Sequence, residues 1–235
     1  MGIRKKLKRI IYNYNINKKY GQYKIDETII TDWDKYNINR IALINSAIVK
    51  ILNEKKDCKY LEIGCDDNFV FNSLILPDEN KIGVDPKQGG NHRMTSDEFF
   101  ILNNRNFDVI FIDGLHQYEQ CQRDVINSLK FLNINGYIFI HDLLPLNWKM
   151  ELVPRIQGHW NGDVWKVGYE LSKIKGLEFK IANIDSGIGY LKKKNDIEYI
   201  KLPELLNKRF KDYLNIYNEL PLINPIDALR EINNE

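Results

Sequence analysis

The spacing of apolar residues changes along the chain and predicts two kinds of element. Within residues 38–52 the apolar positions recur every three or four residues, which is typical of an amphipathic helix. From residue 59 onward, short apolar runs alternate with longer stretches of helical spacing. These runs predict four strands, at residues 59–63, 81–85, 107–113 and 136–142.

The second half of the chain continues this alternation. It predicts helices at residues 117–132, 164–174 and 203–235, and two closing strands at residues 177–181 and 188–191. The closing strands are joined by a turn, Asp185-Ser186-Gly187. Strands separated by helices need crossover connections. The pattern therefore predicts an α/β fold with a doubly wound, mostly parallel sheet and helices on both faces.

We expect one domain with an extension at each end, because no internal repeat or low-complexity linker interrupts the chain. The domain is predicted at residues 37–195. A basic N-terminal extension covers residues 1–36, and residues 196–235 form a helical extension packed on the domain.

Composition and charge narrow the classes of partner. The 34 basic residues nearly balance the 32 acidic ones, and a formal net charge of +2 gives no indication of nucleic acid. The three cysteines include no CxxC pair, which favours free thiols in a reducing compartment. No apolar run approaches the ~20 residues that a membrane-spanning helix needs. We expect a cytoplasmic protein.

The N-terminus carries a compact basic cluster at residues 4–9, and the apolar residues that follow are too interrupted by asparagine for a signal peptide. Two interpretations remain for this cluster. One is a solvated tail, which is the simpler reading of a single cluster. The other is peripheral contact with anionic lipid.

Acidic residues mark the ends of the predicted strands. Glu62 lies near the end of the first strand, and Asp85, Asp113 and Asp142 close the other three. In a doubly wound sheet, ligands bind beyond the carboxyl ends of the strands. Carboxylates gathered there repel one another unless cations or hydrogen-bond donors compensate. A ligand site at this rim is therefore predicted.

The first strand ends in Glu62-x-Gly64, and Asp85 follows 23 residues after Glu62. A glycine here lets the backbone approach a ligand, and an acid at the next strand end can accept hydrogen bonds from ribose hydroxyls. The GxGxxG of dinucleotide-binding proteins is missing. Asp66 and Asp67 follow the glycine instead and would repel a pyrophosphate.

Glu62-x-Gly64 with Asp85 resembles the first two motifs of the class I S-adenosylmethionine-dependent methyltransferases. Four further segments, at residues 95–100, 107–116, 141–142 and 160–166, resemble a subfamily found in surface-polysaccharide gene sets and related to the macrolide-sugar O-methyltransferases. The resemblance covers about residues 60–171. It implies a Rossmann-like sheet of seven strands and S-adenosyl-L-methionine as the cofactor.

The resemblance also implies where the cofactor binds. The cofactor-binding residues it indicates are Glu62, Gly64, Cys65, Asp66, Asn68, Asp85, Pro86, Ser96, Asp97 and Asp113. Glu62 and Gly64 would contact the methionine part, Asp85 the ribose, and Ser96 with Asp97 the adenine. Two alternatives stay open: Asp97 simply begins a helix, and Asp85 is a turn residue before Pro86.

Transfer of a methyl group to a hydroxyl needs a base, a metal ion, or both. By the same resemblance His116 is the general base, and Asp113 and Asp142 are metal ligands. His141 stands where those relatives carry an acid. A histidine at this position disfavours Mg²⁺ relative to Mn²⁺. Two roles stay open for His141: it is a third metal ligand, or, if no metal binds, it is a second catalytic histidine.

Residues 160–166 are the predicted acceptor-binding segment. Aromatic faces suit the C–H face of a sugar, and charged side chains suit hydroxyls or a phosphate. The acceptor residues predicted here are Trp160, Asp163, Trp165 and Lys166. The alternative is that Trp165 belongs to the core and that Asp163 begins a helix.

Together these features predict an S-adenosylmethionine-dependent O-methyltransferase that acts on a sugar or a sugar-containing precursor of a surface polysaccharide or glycoside. The expected acceptor is a small sugar or a nucleotide- or lipid-linked glycan, and no nucleic acid. Two alternatives are a non-catalytic S-adenosylmethionine-binding regulator and a nucleotide-dependent oxidoreductase. The aromatic residues Phe210, Tyr213 and Tyr217 either pack the C-terminal helix onto the domain or form a homo-oligomer contact.

Overall fold

The computed structural model describes residues 3–234, with side chains described from residue 11 onward. The side chains of the basic cluster at residues 4–9 therefore lie outside the described part of the chain. Among the described residues, no helix combines the length and the apolar character that crossing a bilayer requires.

Seven strands form one sheet in the order β2-β1-β3-β4-β6-β5-β7. They are β1 (Tyr60–Ile63), β2 (Lys81–Val84), β3 (Phe107–Ile112), β4 (Leu132–Ile140), β5 (Phe179–Ala182), β6 (Ile188–Lys192) and β7 (Leu222–Ile223). Strand β6 runs antiparallel to β4 and β5, and the other neighbours are parallel. The predicted Rossmann-like, mostly parallel, seven-stranded sheet is confirmed.

Nine α-helices are described. They are α1 (Ile3–Tyr20), α2 (Arg40–Lys55), α3 (Phe69–Ser73), α4 (Ser96–Leu102), α5 (Tyr118–Phe131), α6 (Trp148–Glu151), α7 (Trp165–Ser172), α8 (Phe210–Ile216) and α9 (Pro225–Asn234). Helices α4, α5 and α7 bury their apolar residues against one face of the sheet, and α2, α3 and α9 against the other. Burial on both faces explains why the central strands are continuous apolar runs.

The central strands end at one level, which creates the functional rim of the sheet. Ile63 of β1 pairs with Val84 of β2 and with Ile112 of β3, and Ile112 pairs with Ile140 of β4. The residues that directly follow these strands are Gly64, Asp85, Asp113 and His141. Parallel register therefore brings together residues that are far apart in sequence.

Two element boundaries differ from the predictions. Helix α5 ends at Phe131 and β4 begins at Leu132, so the strand predicted at residues 136–142 starts four residues earlier and contains Asn135-Gly136, a pair that predicts a helix end in the sequence. Asn135 has a φ of 65° and donates its backbone N–H to Lys193, a local irregularity that resembles a helix terminus in sequence. The C-terminal segment is not only helical, because β7 pairs with β5 and completes the sheet.

The segment between α1 and α2 crosses the same rim. The backbone N–H of Ile29 donates to Leu146, and the indole of Trp33 donates to Asn183 at 2.7 Å. Asn39 then caps α2 by accepting a hydrogen bond from Ala42. The N-terminal extension therefore reaches the site that the strand ends form.

Candidate functional site

A cavity of about 1130 Å³ lies beyond the carboxyl ends of β1 to β4. The predicted site residues that line it are Glu62, Gly64, Cys65, Asp66, Asp85, Pro86, Ser96, Asp97, Asp113, His116, His141, Asp142 and Trp160. The structure thus brings together residues from four strand ends and three loops.

Gly64 lets two strand-end loops meet at the floor of the cavity. Its φ is +86°, a conformation that other residues rarely adopt, and an added Cβ would lie 2.2 Å from the carbonyl oxygen of Asp113. No side chain fits in that space. The glycine is therefore required by the close approach of the loops after β1 and β3.

Asp85 holds the neighbouring turns through its carboxylate. One oxygen accepts the backbone N–H groups of Cys65 and Asp66, at 3.1 and 3.2 Å, and the other accepts those of Lys87 and Gln88, at 2.7 and 2.9 Å. Partial burial opposes ionisation, but these four bonds lower the pKa of Asp85 below its ordinary value. Asp85 is therefore a turn residue, and it also lines the cavity.

Glu62 is a buried acid without a cationic partner in direct contact among the described residues. Its side chain accepts a 2.6 Å hydrogen bond from the hydroxyl of Tyr60. Burial raises the pKa of Glu62 to about 8; the Tyr60 bond opposes this shift, and the nearby Asp113 adds to it. A carboxyl group in this state gains by the arrival of a positively charged ligand.

Two histidines and two aspartates form a compact cluster at the centre of the cavity. His116 places Nδ1 3.0 Å from Asp142 and Nε2 3.4 Å from Asp113. His141 places Nδ1 3.0 Å from Asp113 and 3.4 Å from Asp142. Burial alone would raise the pKa of Asp113, but the two imidazoles hold it well below its ordinary range. Both carboxylates are thus bridged by the same pair of rings.

The hydrogen-bond partners distinguish the two rings. His116 Nδ1 lies 2.8 Å from the carbonyl oxygen of Trp160, which can only accept, so this nitrogen carries a proton; Nε2 lies at the longer distance of 3.4 Å from Asp113. His141 faces acceptors on both sides, Asp113 at Nδ1 and the carbonyl of Asp185 at Nε2. Burial would lower the pKa of His141, yet Asp113 and Asp142 raise it well above its ordinary value. His116 is the more exposed ring, and the contact of its Nε2 is longer than either contact of His141, so the geometry favours His116 over His141 as a proton acceptor.

Arg40 and Asp185 extend this cluster, and neither was predicted from the sequence. Their side chains form an ion pair at 2.8 Å, and Arg40 lies 3.5 Å from His141 Nε2. Asp185, Ser186 and Gly187 all have positive φ, so the turn between β5 and β6 is sharply constrained. The sequence identified this turn only as a connection, because the ion pair spans 145 residues.

Three predicted metal ligands do converge. Each of Asp113, His141 and Asp142 offers one ligand atom. These three atoms, one nitrogen and two oxygens, lie within 4.8 Å of one another. Asp142 is held in a left-handed conformation, φ 65°, and accepts a hydrogen bond from Asn161 at 3.0 Å. This donor set fits a divalent ion that tolerates one imidazole. His141 would first have to release the proton at Nδ1.

Another end of the cavity is formed by the start of α4. Ser96 and Asp97 follow the capping box of Thr95 and Glu98, so the expectation that Asp97 begins a helix is met, and Asp97 still lines the cavity. Gln120 of α5 donates to Asp124 at 3.1 Å. Burial raises the pKa of Asp124 to about 6. Asp124 was not predicted as a site residue, because in sequence it is one acid in a polar helix.

Four predicted site residues do not line the cavity. Asn68 precedes α3 and its side chain accepts the backbone N–H of Gly90, which makes it a loop-stabilising residue. The assignment of Trp165, Lys166 and Asp163 to the acceptor is corrected too. Trp165 is buried against Tyr213 of α8.

Lys166 and Asp163 are tied to one another and to the protein interior. Lys166 is fully buried and forms a 2.8 Å ion pair with Asp163, which also accepts the backbone N–H of Tyr118. Both side chains are therefore used where α7 and α5 pack together. In sequence these contacts are indistinguishable from a charged acceptor site.

Trp160 is the one predicted acceptor residue at the cavity. Its ring stacks on His116 with 5.3 Å between centroids and 21° between planes, and its indole donates to the carbonyl of Leu152 at 2.8 Å. The guanidinium carbon of Arg155 lies over the Trp160 ring, 5.9 Å from its centroid. Trp33 and Tyr36 from the N-terminal segment also line the cavity. This part of the cavity is rich in aromatic surface.

Comparisons with known proteins address the same region. A family model described as a methyltransferase domain matches residues 80–143. An uncharacterized protein of Acanthamoeba polyphaga mimivirus is 31% identical over 134 residues, which cover 44% of this chain and 59% of that protein. The match therefore spans less than two thirds of the relative's length.

Solved structures with a similar overall shape have low sequence identity. The O-methyltransferase of Bacillus cereus in complex with S-adenosylhomocysteine is 13% identical with a TM-score of 0.44, and covers 67% of this chain and 83% of its own. An S-adenosylhomocysteine-bound methyltransferase of Podospora anserina is 14% identical with a TM-score of 0.45, and covers 83% of this chain and 98% of its own. Likeness at this level says nothing of the cofactor or acceptor of this chain.

The segment matched by the family model runs from the start of β2 to the loop after β4, and it contains Asp85, Asp113, His116, His141 and Asp142. This match supports the predicted enzyme class over that segment of the chain. The histidine–aspartate cluster thus lies in the part of the chain that is similar to a methyltransferase domain.

Proposed function

We propose that this protein transfers a methyl group from S-adenosylmethionine to a hydroxyl group of a sugar or a sugar-containing acceptor. The observation that carries the proposal is that the loops after β1 and β2 and the cluster of His116, His141, Asp113 and Asp142 open into one cavity. Its volume, about 1130 Å³, is above the ~300–1,000 Å³ of a site for one small ligand. A cofactor and an acceptor therefore have room side by side.

The cofactor end has groups of the right charge for S-adenosylmethionine. Glu62 is poised to ionise against the ammonium group of the methionine part, and Gly64 leaves the backbone accessible beside it. Asp85 is ionised at the next strand end, and ribose hydroxyls would share carboxylate oxygens that already accept four backbone N–H groups. Ser96 and Asp97 lie where the adenine would end.

The cofactor, when bound, supplies an electrophilic methyl carbon on a sulfonium. His116 Nε2 faces the centre of the cavity and accepts the proton of the acceptor hydroxyl as the new carbon–oxygen bond forms. S-adenosylmethionine would supply the methyl group and leave as S-adenosylhomocysteine, with the electron pair of the broken carbon–sulfur bond on sulfur. Trp160 and Asp142 hold the ring of His116 through Nδ1, so Nε2 keeps its direction.

Asp113, Asp142 and His141 would hold a divalent ion, with Mn²⁺ favoured over Mg²⁺ because one ligand is an imidazole. Such an ion would supply positive charge that orients the acceptor oxygens. It would also offset the two carboxylates that now raise the pKa of His116. The lower pKa would leave His116 neutral and ready to act as a base near pH 7.

The acceptor end is lined by Trp160, Trp33 and Tyr36, whose flat faces suit a sugar ring. We assign residues 37–195 to the methyltransferase domain, with residues 1–36 contributing one wall of the cavity and residues 196–235 packed on the domain. The free, buried cysteines Cys58, Cys65 and Cys121 support a location in the cytoplasm.

The test is methyl transfer from isotope-labelled S-adenosylmethionine to a panel of nucleotide-linked sugars, glycosides and lipid-linked glycans. The wild-type protein and His92→Ala are expected to label at least one acceptor, because His92 lies outside the cavity, whereas His116→Ala is not. Labelling by His116→Ala at the wild-type rate would remove the base. Cofactor binding without transfer to any acceptor would favour the regulatory alternative, and tighter binding of NAD would favour an oxidoreductase.

A further inference from the structure

The first helix carries a charge pattern unlike the rest of the chain. Helix α1, Ile3–Tyr20, contains seven lysine or arginine residues and no acidic residue. The first acid of the chain is Asp26, although the whole sequence is nearly balanced in charge. The helix is therefore a local concentration of positive charge.

Apolar residues recur in the same helix at helical spacing, at positions 3, 7, 10, 11 and 14. Ile11 and Tyr14 are among the large apolar side chains that the structure leaves exposed, with 52% and 65% of their surface accessible. Ile16 and Tyr20, nearer the end of α1, pack against the core. Ile11 and Tyr14 are therefore apolar side chains of α1 that the described part of the protein does not cover.

We propose that α1 is a docking surface for an anionic phospholipid bilayer. A basic helix with an apolar stripe lies in the membrane interface, with the stripe among the acyl chains and the basic residues at the lipid phosphates. Tyrosines at such a helix match the interface, where one end of the ring is apolar and the other is hydrated. The exposed Ile11 and Tyr14 favour a bilayer over nucleic acid, which would need only the charges.

Docking through α1 would bring the catalytic rim close to the membrane surface. The chain that leaves α1 at Tyr20 reaches the wall of the cavity at Trp33, only thirteen residues later. Ile29 and Trp33 fix this connection to the protein through their hydrogen bonds to Leu146 and Asn183. The docking surface itself does not depend on the proposed methyl transfer.

The test is co-sedimentation of the full-length protein with vesicles of phosphatidylglycerol and phosphatidylcholine, compared with vesicles of phosphatidylcholine alone. Binding is expected only to the anionic vesicles and should weaken as salt is added. Reversing four charges, Lys5→Glu, Lys6→Glu, Lys8→Glu and Arg9→Glu, should lower the partition coefficient at least about 100-fold, since each basic residue contributes a factor of about five. A control with four exposed lysines reversed elsewhere should bind as the wild type does: Lys130→Glu, Lys175→Glu, Lys201→Glu and Lys211→Glu.

A second variant reports on the apolar stripe. The tryptophan fluorescence of Tyr14→Trp, measured as the difference from the wild type with its four native tryptophans, should shift to shorter wavelength on anionic vesicles, since residue 14 would enter the interface. The proposal is overturned if the protein does not bind, if it binds neutral vesicles equally, or if the control loses as much affinity as the α1 variant. Tighter binding of single-stranded RNA than of vesicles would also overturn it and assign the helix to nucleic acid.

Discussion

The raised pKa of Glu62 leads to a prediction with opposite signs for stability and for binding. In the substitution Glu62→Gln the side chain keeps its shape and its bond with Tyr60 but no longer ionises. The pKa of Glu62 lies at about 8 in the folded protein against an ordinary value of 4.5. The folded state therefore holds an extra proton between these two values, and the wild type loses stability as pH rises through that window.

At pH 7 the unfolded chain gains from ionising Glu62 over roughly 2.5 pH units, which corresponds to about 3 kcal/mol. The Gln variant is spared this loss. We expect it to be more stable than the wild type by up to about 3 kcal/mol at pH 7, and by less than about 1 kcal/mol at pH 5. For a chain of this length the gain at pH 7 corresponds to a rise in Tm of roughly 6–12 °C.

Binding should change in the other direction, because the variant has lost the charge that meets the cofactor's ammonium group. Loss of a charge-assisted hydrogen bond costs about 1.5–3 kcal/mol, so S-adenosylhomocysteine should bind roughly 10- to 100-fold more weakly. Thermal unfolding at pH 5, 7 and 8 measures the stability, and calorimetry measures the affinity. Glu198→Gln changes an exposed glutamate and is the matched control. The reasoning would be refuted if the stability advantage of the Gln variant over the wild type were no larger at pH 8 than at pH 5, or if the variant bound as tightly as the wild type.

Three further predictions concern the histidine–aspartate cluster and the core. His116→Ala should lower turnover about 100-fold or more while leaving the affinity for S-adenosylhomocysteine unchanged, in steady-state kinetics and calorimetry; unchanged turnover would remove its role as the base. Mn²⁺ binding should release a proton from His141, giving a calorimetric heat that depends on the buffer, and Asp142→Asn should abolish saturable binding; an equal effect of Asp97→Asn would argue against the metal site. Trp165→Ala should lower the free energy of unfolding by about 3–5 kcal/mol in urea, since the ring is buried; a loss below about 1 kcal/mol would contradict its place in the core.

The central strands were predictable because burial on both faces makes them continuous apolar runs. Strands β1 to β4 each stand out for this reason, and the glycine, aspartate or histidine that follows marks where each ends. Strand β7 has only two residues, Leu222 and Ile223, and is defined by its pairing with β5. No local pattern of that length can indicate a strand.

The residues at the centre of the site were predictable from the strand ends, but the residues that surround them were not. Asp113, His141 and Asp142 come together because parallel strands end in register. Arg40 and Asp185 reach the cluster from outside the central strands, and their ion pair exists only in the folded protein. Such partners carry no signal in a single sequence.

In the acceptor segment, the sequence predicted site residues that the structure places in the core. Trp165 and Lys166 have the residue types of a sugar site, but which face of a helix turns toward the core is decided by packing. Trp160, only five residues earlier, lies in the loop before α7 and reaches the cavity. Residue type alone could not separate the two positions.

The central claim is that the rim formed by Glu62, Gly64 and Asp85 binds S-adenosylmethionine. Calorimetric titration of the purified protein with S-adenosylhomocysteine, with NAD as the competing ligand, tests it most directly. The account predicts micromolar binding of S-adenosylhomocysteine, with release of most of one proton at pH 7 as Glu62 ionises, and no comparable binding of NAD. No detectable binding of S-adenosylhomocysteine at pH 7 or 8, with or without Mn²⁺, would contradict it.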